Sequence, residues 1–416
     1  MRFEKLNDHF IGVGAKHLSA VDAERNKSNQ HEIGPTKAMR DLFLGEQHQE
    51  HLQTIYIWLD DENAVSVESY TTHYDARLNH PTRSEWRLYY TSNVVTEAMR
   101  EGDTLFLAKD KTGVLFFIVT PSETTTQRQL CWLFGVELPE KEGANFVAKS
   151  FSGLLDELNF ASLYILEKIG IEAQFAETDE IDRVIAKFGN EFPRTAEFSL
   201  LARQAFPEEL VFDDPDKALI SWINYEEAMF RRLEKKVVAE RLLQGFVNGA
   251  EVDVDGFVKY SLSVQNRRKS RMGHSLENHI GAILEAYKLP HERGAITENK
   301  QKPDFLFPGQ TAYSAADNGS RLIMLGAKSS CKDRWRQVLA EAAKIERKHL
   351  LTLEPGISET QTAQMETSNL QLVVPASIHE SYTLEQQKWL WDLRAFISFA
   401  GSVLQERKTD LLSLGL

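Results

Sequence analysis

KPDFLFPGQTAYSAADNGSRLIMLGAKSSCKDRWRQVLAEA, from Lys302 to Ala342, seats an acid and an amine at the ends of two apolar runs. Asp304 follows a proline and heads the run FLF, and Lys328 closes the run LIMLGA. A Gly/Asn/Asp-rich turn separates the runs, a pattern that predicts two neighbouring strands. A helix is expected from about Asp333, with Trp335, Val338, Leu339, Ala342 and Ile345 on one face and Glu341 at the edge of that stripe. Upstream, SLENHIGAILEAYKL predicts another helix. Its Leu276, Ile280, Ile283, Leu284 and Tyr287 recur at the spacing of a buried face, and Glu277 lies at the edge. Charged groups beside apolar surface cost desolvation energy, so four of them able to meet at one end of a small sheet call for a chemical reason.

Phosphodiester hydrolysis supplies one. Carboxylate oxygens hold Mg2+ while leaving positions for water and phosphate. The metal acidifies bound water, and a lysine offsets the charge that develops on phosphorus oxygens. The plain alternative for Asp304 and Lys328 is a turn and a solvated strand end. Two basic clusters weigh against it. VQNRRKSRMGHSLE carries Arg267, Arg268, Lys269 and Arg271 just before Glu277, and CKDRWRQ carries Lys332, Arg334 and Arg336 around Asp333. A helix start favours phosphate, and arginine or aspartate can read base edges. A nucleic-acid groove beside the acids is therefore expected.

The 416 residues, 42% hydrophobic, suffice for two domains. A net charge of -13, from 48 basic and 61 acidic residues, argues against coating nucleic acid by bulk attraction. Cys131 and Cys331 form no framework, which fits a reducing compartment. The charged start MRFEKLNDHF is unlike a secretory signal, and VLFFIV is too short to span a bilayer. A cytoplasmic protein with no membrane partner is expected.

Residues 1–175 read as β-rich, with strands at TIYIWL, DTLFLAKD, GVLFFIVT and QLCWLFG, followed by a helical pattern from Ala148. An acidic, polar stretch at 176–191 reads as a linker. Residues 192–416 read as helices flanking a few strands, including LQLVVP, an α/β (mixed) domain.

NRRKSRMGHSLE, KPDFLFP, KSSCKDRWRQVLAEA and LQLVVPASIH are similar, nearly phrase for phrase, to the catalytic domain of the EcoRII-type restriction endonucleases, over about half the chain from Phe192. The resemblance implies a PD-(D/E)XK nuclease core. It also implies Mg2+-dependent cleavage of double-stranded DNA at CCWGG, 5′ of the first cytosine, by a homodimer. It implies catalytic roles for Asp304, Lys328 and Glu341, with Asp304 and Glu341 on the metal and Glu277 as an additional acid. The acid usual two residues before the lysine is Gly326 here, and Glu341 stands in its place. Lys332, Asp333 and Arg334 match the segment that reads C:G pairs. Arg268 and Arg271 match a basic loop near DNA and the dimer interface. Trp222 and Tyr225 lie where a base-stacking helix is expected, and Tyr313 matches a family tyrosine.

The N-terminal half resembles the family's effector domain, a DNA-binding pseudobarrel. It does so through KHLSAVDAERNKSNQHEIG and TRSEWR, which imply DNA contacts at Lys16, Asn29, His31, Arg83, Glu85 and Arg87; Trp86 replaces a basic residue there. Such an effector domain restrains the catalytic one. Another PD-(D/E)XK nuclease, for repair or structure-specific cleavage, and a non-catalytic DNA-binding regulator stay open on the residues alone.

Overall fold

The computed structural model describes residues 4–23, 31–139, 145–151, 160–172, 179–248, 251–316, 321–331 and 334–413. Chain contacts divide it into two compact units. One is drawn from Arg2–Gln174 with Pro355–Thr360, the other from Phe175–Glu354 with Gln361–Leu416.

The first unit is built on eight strands: β1 (Phe10–His17), β2 (Glu32–Ile33), β3 (Gln49–Leu59), β4 (Ala64–Asp75), β5 (Trp86–Tyr90), β6 (Thr104–Asp110), β7 (Leu115–Thr120) and β8 (Val147–Ser150). They join in the order β2-β5-β4-β3-β7-β6-β1-β8, antiparallel except for β3 beside β7. Successive side chains of a strand face opposite sides. Phe106, Ala108, Phe116 and Ile118 enter one core, while Leu105, Leu107, Leu115, Phe117 and Val119 enter another. Both faces are covered, which is why these strands read as unbroken apolar runs rather than as alternation.

QLCWLFG is not a strand. It completes a helix, Thr125–Phe134, capped by the Thr124 hydroxyl on the Gln127 N–H and closed by Gly135 at φ 58°. Leu130, Leu133 and Phe134 recur at i, i+3 and i+4 and pack into the first core. The preceding PSETTT is thus a helix start.

The second unit opens with helices, and its first two strands, β9 (Val247–Asn248) and β10 (Glu251–Val252), pair only with each other. Its main sheet has the order β11-β12-β13-β14-β15, with β11 (Glu292–Arg293), β12 (Phe305–Phe307), β13 (Ile323–Lys328), β14 (Lys348–Thr352) and β15 (Leu370–Val373). β12 runs antiparallel to both β11 and β13, and β13, β14 and β15 run parallel. Parallel neighbours need a crossover. The helix Arg334–Ala340 makes the one between β13 and β14, and Glu359–Thr367 lies between β14 and β15. Strands and flanking helices give the α/β (mixed) architecture expected of this half.

Two expectations change here. The basic run before Glu277 is no loop but the middle of a 33-residue helix, Val254–Ala286. The stretch expected as a linker carries the helix Asp179–Ala186, whose Ile181 and Ile185 are buried against Phe198, Tyr225 and Phe230. Asp182 also accepts a two-pronged bond from Arg232, Nε at 2.7 Å and Nη2 at 3.0 Å.

A C-terminal fragment starting at Phe192 loses this helix, and each lost isoleucine burial is worth roughly 1.5–3 kcal/mol. We expect it to unfold at distinctly lower urea concentration than a fragment starting at Phe175, followed by circular dichroism.

Candidate active site

The register of β12 on β13 sets Phe305 across from Leu325, so Asp304 stands beside the end of β13. One oxygen of Asp304, Oδ2, accepts from the Ala327 N–H at 2.7 Å and from Lys328 Nζ at 2.7 Å. Both side chains are mostly shielded, at 14% and 19% exposure. In so dry a setting the pair is stronger than a surface salt bridge, and each member holds the other in place.

Glu341 completes the group. It lies one residue past the helix Arg334–Ala340 rather than on it, with its N–H on the Val338 carbonyl at 3.2 Å. Its side chain is buried, and Oε2 has no hydrogen-bond partner among the described residues. Burial raises its carboxyl from 4.5 to about 7; the Lys328 ammonium opposes the shift and the Asp304 carboxylate adds to it. The three side chains that the sequence singled out therefore share one electrostatic site.

Gly326 explains why the third acid comes from beyond the helix. A Cβ added there would stand 3.0 and 3.2 Å from the two γ carbons of Val338 and 3.4 Å from Leu350 Cδ1. The close approach of the crossover helix fills the space that an acid on this strand would need, and the same approach brings Glu341 over the strand ends.

Glu277 is placed otherwise. Its Oε2 accepts from Arg293 Nη2 at 2.9 Å, at the far edge strand β11, and no described contact joins it to Asp304 or Lys328. Arg334 is exposed at the start of its helix, while Lys332 and Asp333 lie outside the described residues.

Arg268 and Arg271 turn inward. Arg268 bonds the buried Glu234 at 2.6 Å. Arg271 is 8% exposed, sits over Phe198 and Phe230, and reaches Glu226 at 3.4 Å. Helical spacing carries these guanidinium groups onto the neighbouring Pro215–Gln244 helix, where Arg271 is buried and Arg268 stays 30% exposed. Trp222 and Tyr225 are likewise buried, Trp222 with its ring 5.7 Å from His279 and Tyr225 in the helical core. Neither presents a free stacking face.

In the first unit Lys16 is buried in an ion pair with Asp22 at 2.7 Å. Asn29 lies outside the described residues. At the β2–β5 edge the His31 ring lies 5.6 Å from Tyr90, at one end of β5, while Glu85, just before the other end, binds both Arg77 and Arg87. Arg83 is exposed just before β5. Trp86 stacks on the buried His73 at 4.9 Å, with Arg40 over the indole at 5.5 Å.

Sequence reasoning missed two residues at the acids. Lys348 is buried, donates to the Ala342 and Ile345 carbonyls at 3.2 and 2.6 Å, and interacts with the Glu341 charge. Glu354 accepts from the Cys331 N–H, which steadies the chain directly after Lys328. A lysine at a strand start and a glutamate at a strand end carry no local signal.

The donor set suits a small hard cation. Two carboxylates converge, one with a buried oxygen that lacks a partner, and such ions keep several waters. Among the described residues no cluster offers three or more His, Cys, Asp or Glu side chains placed to hold a metal ion.

Two outcomes follow. In the metal-free protein the unfolded chain loses the Glu341 proton near 4.5 and the folded chain near 7. Between those values the folded state binds more protons, so stability falls as pH rises, by on the order of 3 kcal/mol at most. Urea midpoints of Glu341→Gln across this window should be flatter than those of the unaltered chain. Gly326→Asp should destabilise by about 3 kcal/mol through the clash with Val338 and a buried charge, without restoring function to Glu341→Ala.

Residues 230–397 match a family model described as EcoRII C terminal. The chain is 42% identical over 187 residues to the type II restriction enzyme EcoRII of Escherichia coli, which is 44% of this chain and 45% of that protein. It thus spans about half the length of the curated relative it matches. Metal-depleted Ecl18kI in complex with uncleaved, modified DNA aligns at 16% identity and TM-score 0.45, over 55% of this chain and 83% of that one. A complex of restriction endonuclease PspGI with substrate DNA aligns at 14% identity and TM-score 0.43, over 52% and 94%. The C-terminal half of this chain is thus similar to the EcoRII C terminal family, through the family-model match over residues 230–397 and the 42% identity to EcoRII.

Proposed function

We propose that this protein is a type II restriction endonuclease that makes Mg2+-dependent double-strand cuts in DNA at a CCWGG-like site. The observation that carries the reading is the meeting of Asp304, Lys328 and Glu341 in one shielded site, inside a domain of the EcoRII type.

Asp304 and Glu341 are the residues to hold the divalent cation. When bound, that cation supplies Lewis acidity toward a phosphate oxygen and lowers the pKa of water. Lys328 spends one of its three N–H donors on Asp304. The other two are free in kind to hold the attacking water or a phosphate oxygen as charge builds on it. Asp304 thereby has a second task, aiming the ammonium. Burial keeps the site poor in competing water and strengthens each of these interactions. Lys348 offsets part of the charge of Glu341.

The EcoRII-type match also supports DNA as partner, and action as a homodimer on double-stranded DNA in the cytoplasm goes with this reading. No described helix is long and apolar enough to cross a membrane. The division into two units supports an N-terminal effector domain that binds a further copy of the site and regulates the C-terminal domain. The β2–β5 edge with His31, Arg83, Glu85 and Arg87 is our choice for its contact surface.

Digesting a sequenced plasmid with Mg2+ and mapping the ends tests the reading. Cuts confined to CCWGG sites are expected, with Asp304→Ala, Lys328→Ala and Glu341→Ala each at least about 10³-fold slower while still retarding the same DNA in a gel. Cuts unrelated to CCWGG would mark another nuclease of this superfamily. Binding with no cutting by the unaltered chain would mark a regulator.

A further inference from the structure

Glu341 stands where no helix holds it. The residue after it, Ala342, is fully buried and has φ 46°, a left-handed conformation that costs an alanine about 1–2 kcal/mol. Some external contact must keep the chain in that shape. The contacts are present on three successive amides. The Ala342 N–H donates to Thr297 Oγ1 at 3.3 Å, the Ala343 N–H to Glu298 Oε2 at 3.3 Å, and the Lys344 N–H to the Tyr313 hydroxyl at 3.1 Å. The Tyr313 hydroxyl in turn donates to Glu298 Oε2 at 2.5 Å. Ala343 is exposed, so water would satisfy its amide; a carboxylate holds it instead.

The other side of this clasp is also a bent turn. Asn299 and Lys300 have φ of 56° and 61°, and the Thr297 N–H closes the turn on the Gln301 carbonyl at 2.9 Å. That turn leads through Lys302 and Pro303 directly to Asp304. Two strained turns, one directly after Glu341 and one ending three residues before Asp304, are therefore pinned to each other through Glu298. Burial works against the charged form of Glu298, yet the bonds from Tyr313 and Ala343 hold its carboxyl below the ordinary range, so it is an anion when it does this.

We propose that Glu298, supported by Thr297 and Tyr313, is a positioning residue that sets the spacing of the Asp304 and Glu341 carboxylates and hence the affinity of the site for a divalent cation. The inference rests on the nuclease reading above. Outer contacts of this kind typically tune metal affinity 10–100-fold.

The test is a Mn2+ titration of the full chain, read as the free-ion electron paramagnetic resonance signal, beside thermal unfolding and plasmid cleavage. Glu298→Ala should weaken Mn2+ binding about tenfold or more, toward the level of Glu341→Ala. Glu298→Gln, whose amide oxygen still accepts from Tyr313 and Ala343, should stay within about threefold of the unaltered chain. If Glu298→Ala does not fold, Tyr313→Phe makes the same comparison by removing one hydroxyl, with the same tenfold loss expected. Unaltered Mn2+ affinity in the folded Glu298→Ala or Tyr313→Phe chain, with Glu341→Ala impaired, would overturn the clasp and leave the nuclease reading standing. An unaltered chain that neither binds Mn2+ nor cuts DNA would overturn both.

Discussion

A lysine ammonium 2.7 Å from an aspartate carboxylate, at the ends of two antiparallel strands, governs the C-terminal half of this molecule. A single oxygen of Asp304 receives both that ammonium and the Ala327 amide, so it locks the strand end and the lysine together. With Lys328 engaged by Asp304 and Lys348 by backbone carbonyls, Glu341 is buried with no hydrogen bond to Oε2 among the described residues, and burial raises its carboxyl to about 7. An incomplete charge balance of this sort is costly in a folded protein, and under the proposed function a divalent cation is the partner that would complete it.

Close packing makes that arrangement possible. Gly326 lets Val338 settle against β13, and the crossover helix then ends directly over the strand termini. An acid placed on the strand would push the helix away; an acid placed after the helix needs the helix near. The glycine and the displaced glutamate are two sides of one steric constraint.

The strands were legible in the sequence because their signal is local. Apolar runs bounded by turn residues located β3, β6, β7, β12, β13 and β15, and the order of types in the C-terminal half pointed to helices around a sheet. Errors arose where local signal is ambiguous. QLCWLFG is apolar enough for a strand, and only the Thr124 cap and the Gly135 stop distinguish it as a helix end. The basic run looked like a groove because charge in sequence suggests solvent. In a continuous helix, however, Arg268 and Arg271 lie on the side that meets Glu234 and Glu226. The acidic stretch near residue 180 looked like a linker, although Ile181 and Ile185 at i and i+4 make a buried stripe out of it.

By itself the sequence determined which chemistry is available: two acids and an amine at strand and helix ends, beside motifs of a nuclease domain. Residue identity and short-range periodicity are enough for that. Tertiary structure alone decided which of the acids join the lysine, Glu341 and not Glu277, and which basic residues pair with buried acids. It also decided that Glu298, silent in the sequence, pins the chain around the site. Desolvation and contact depend on groups that return from tens of residues away, and no window of sequence contains them.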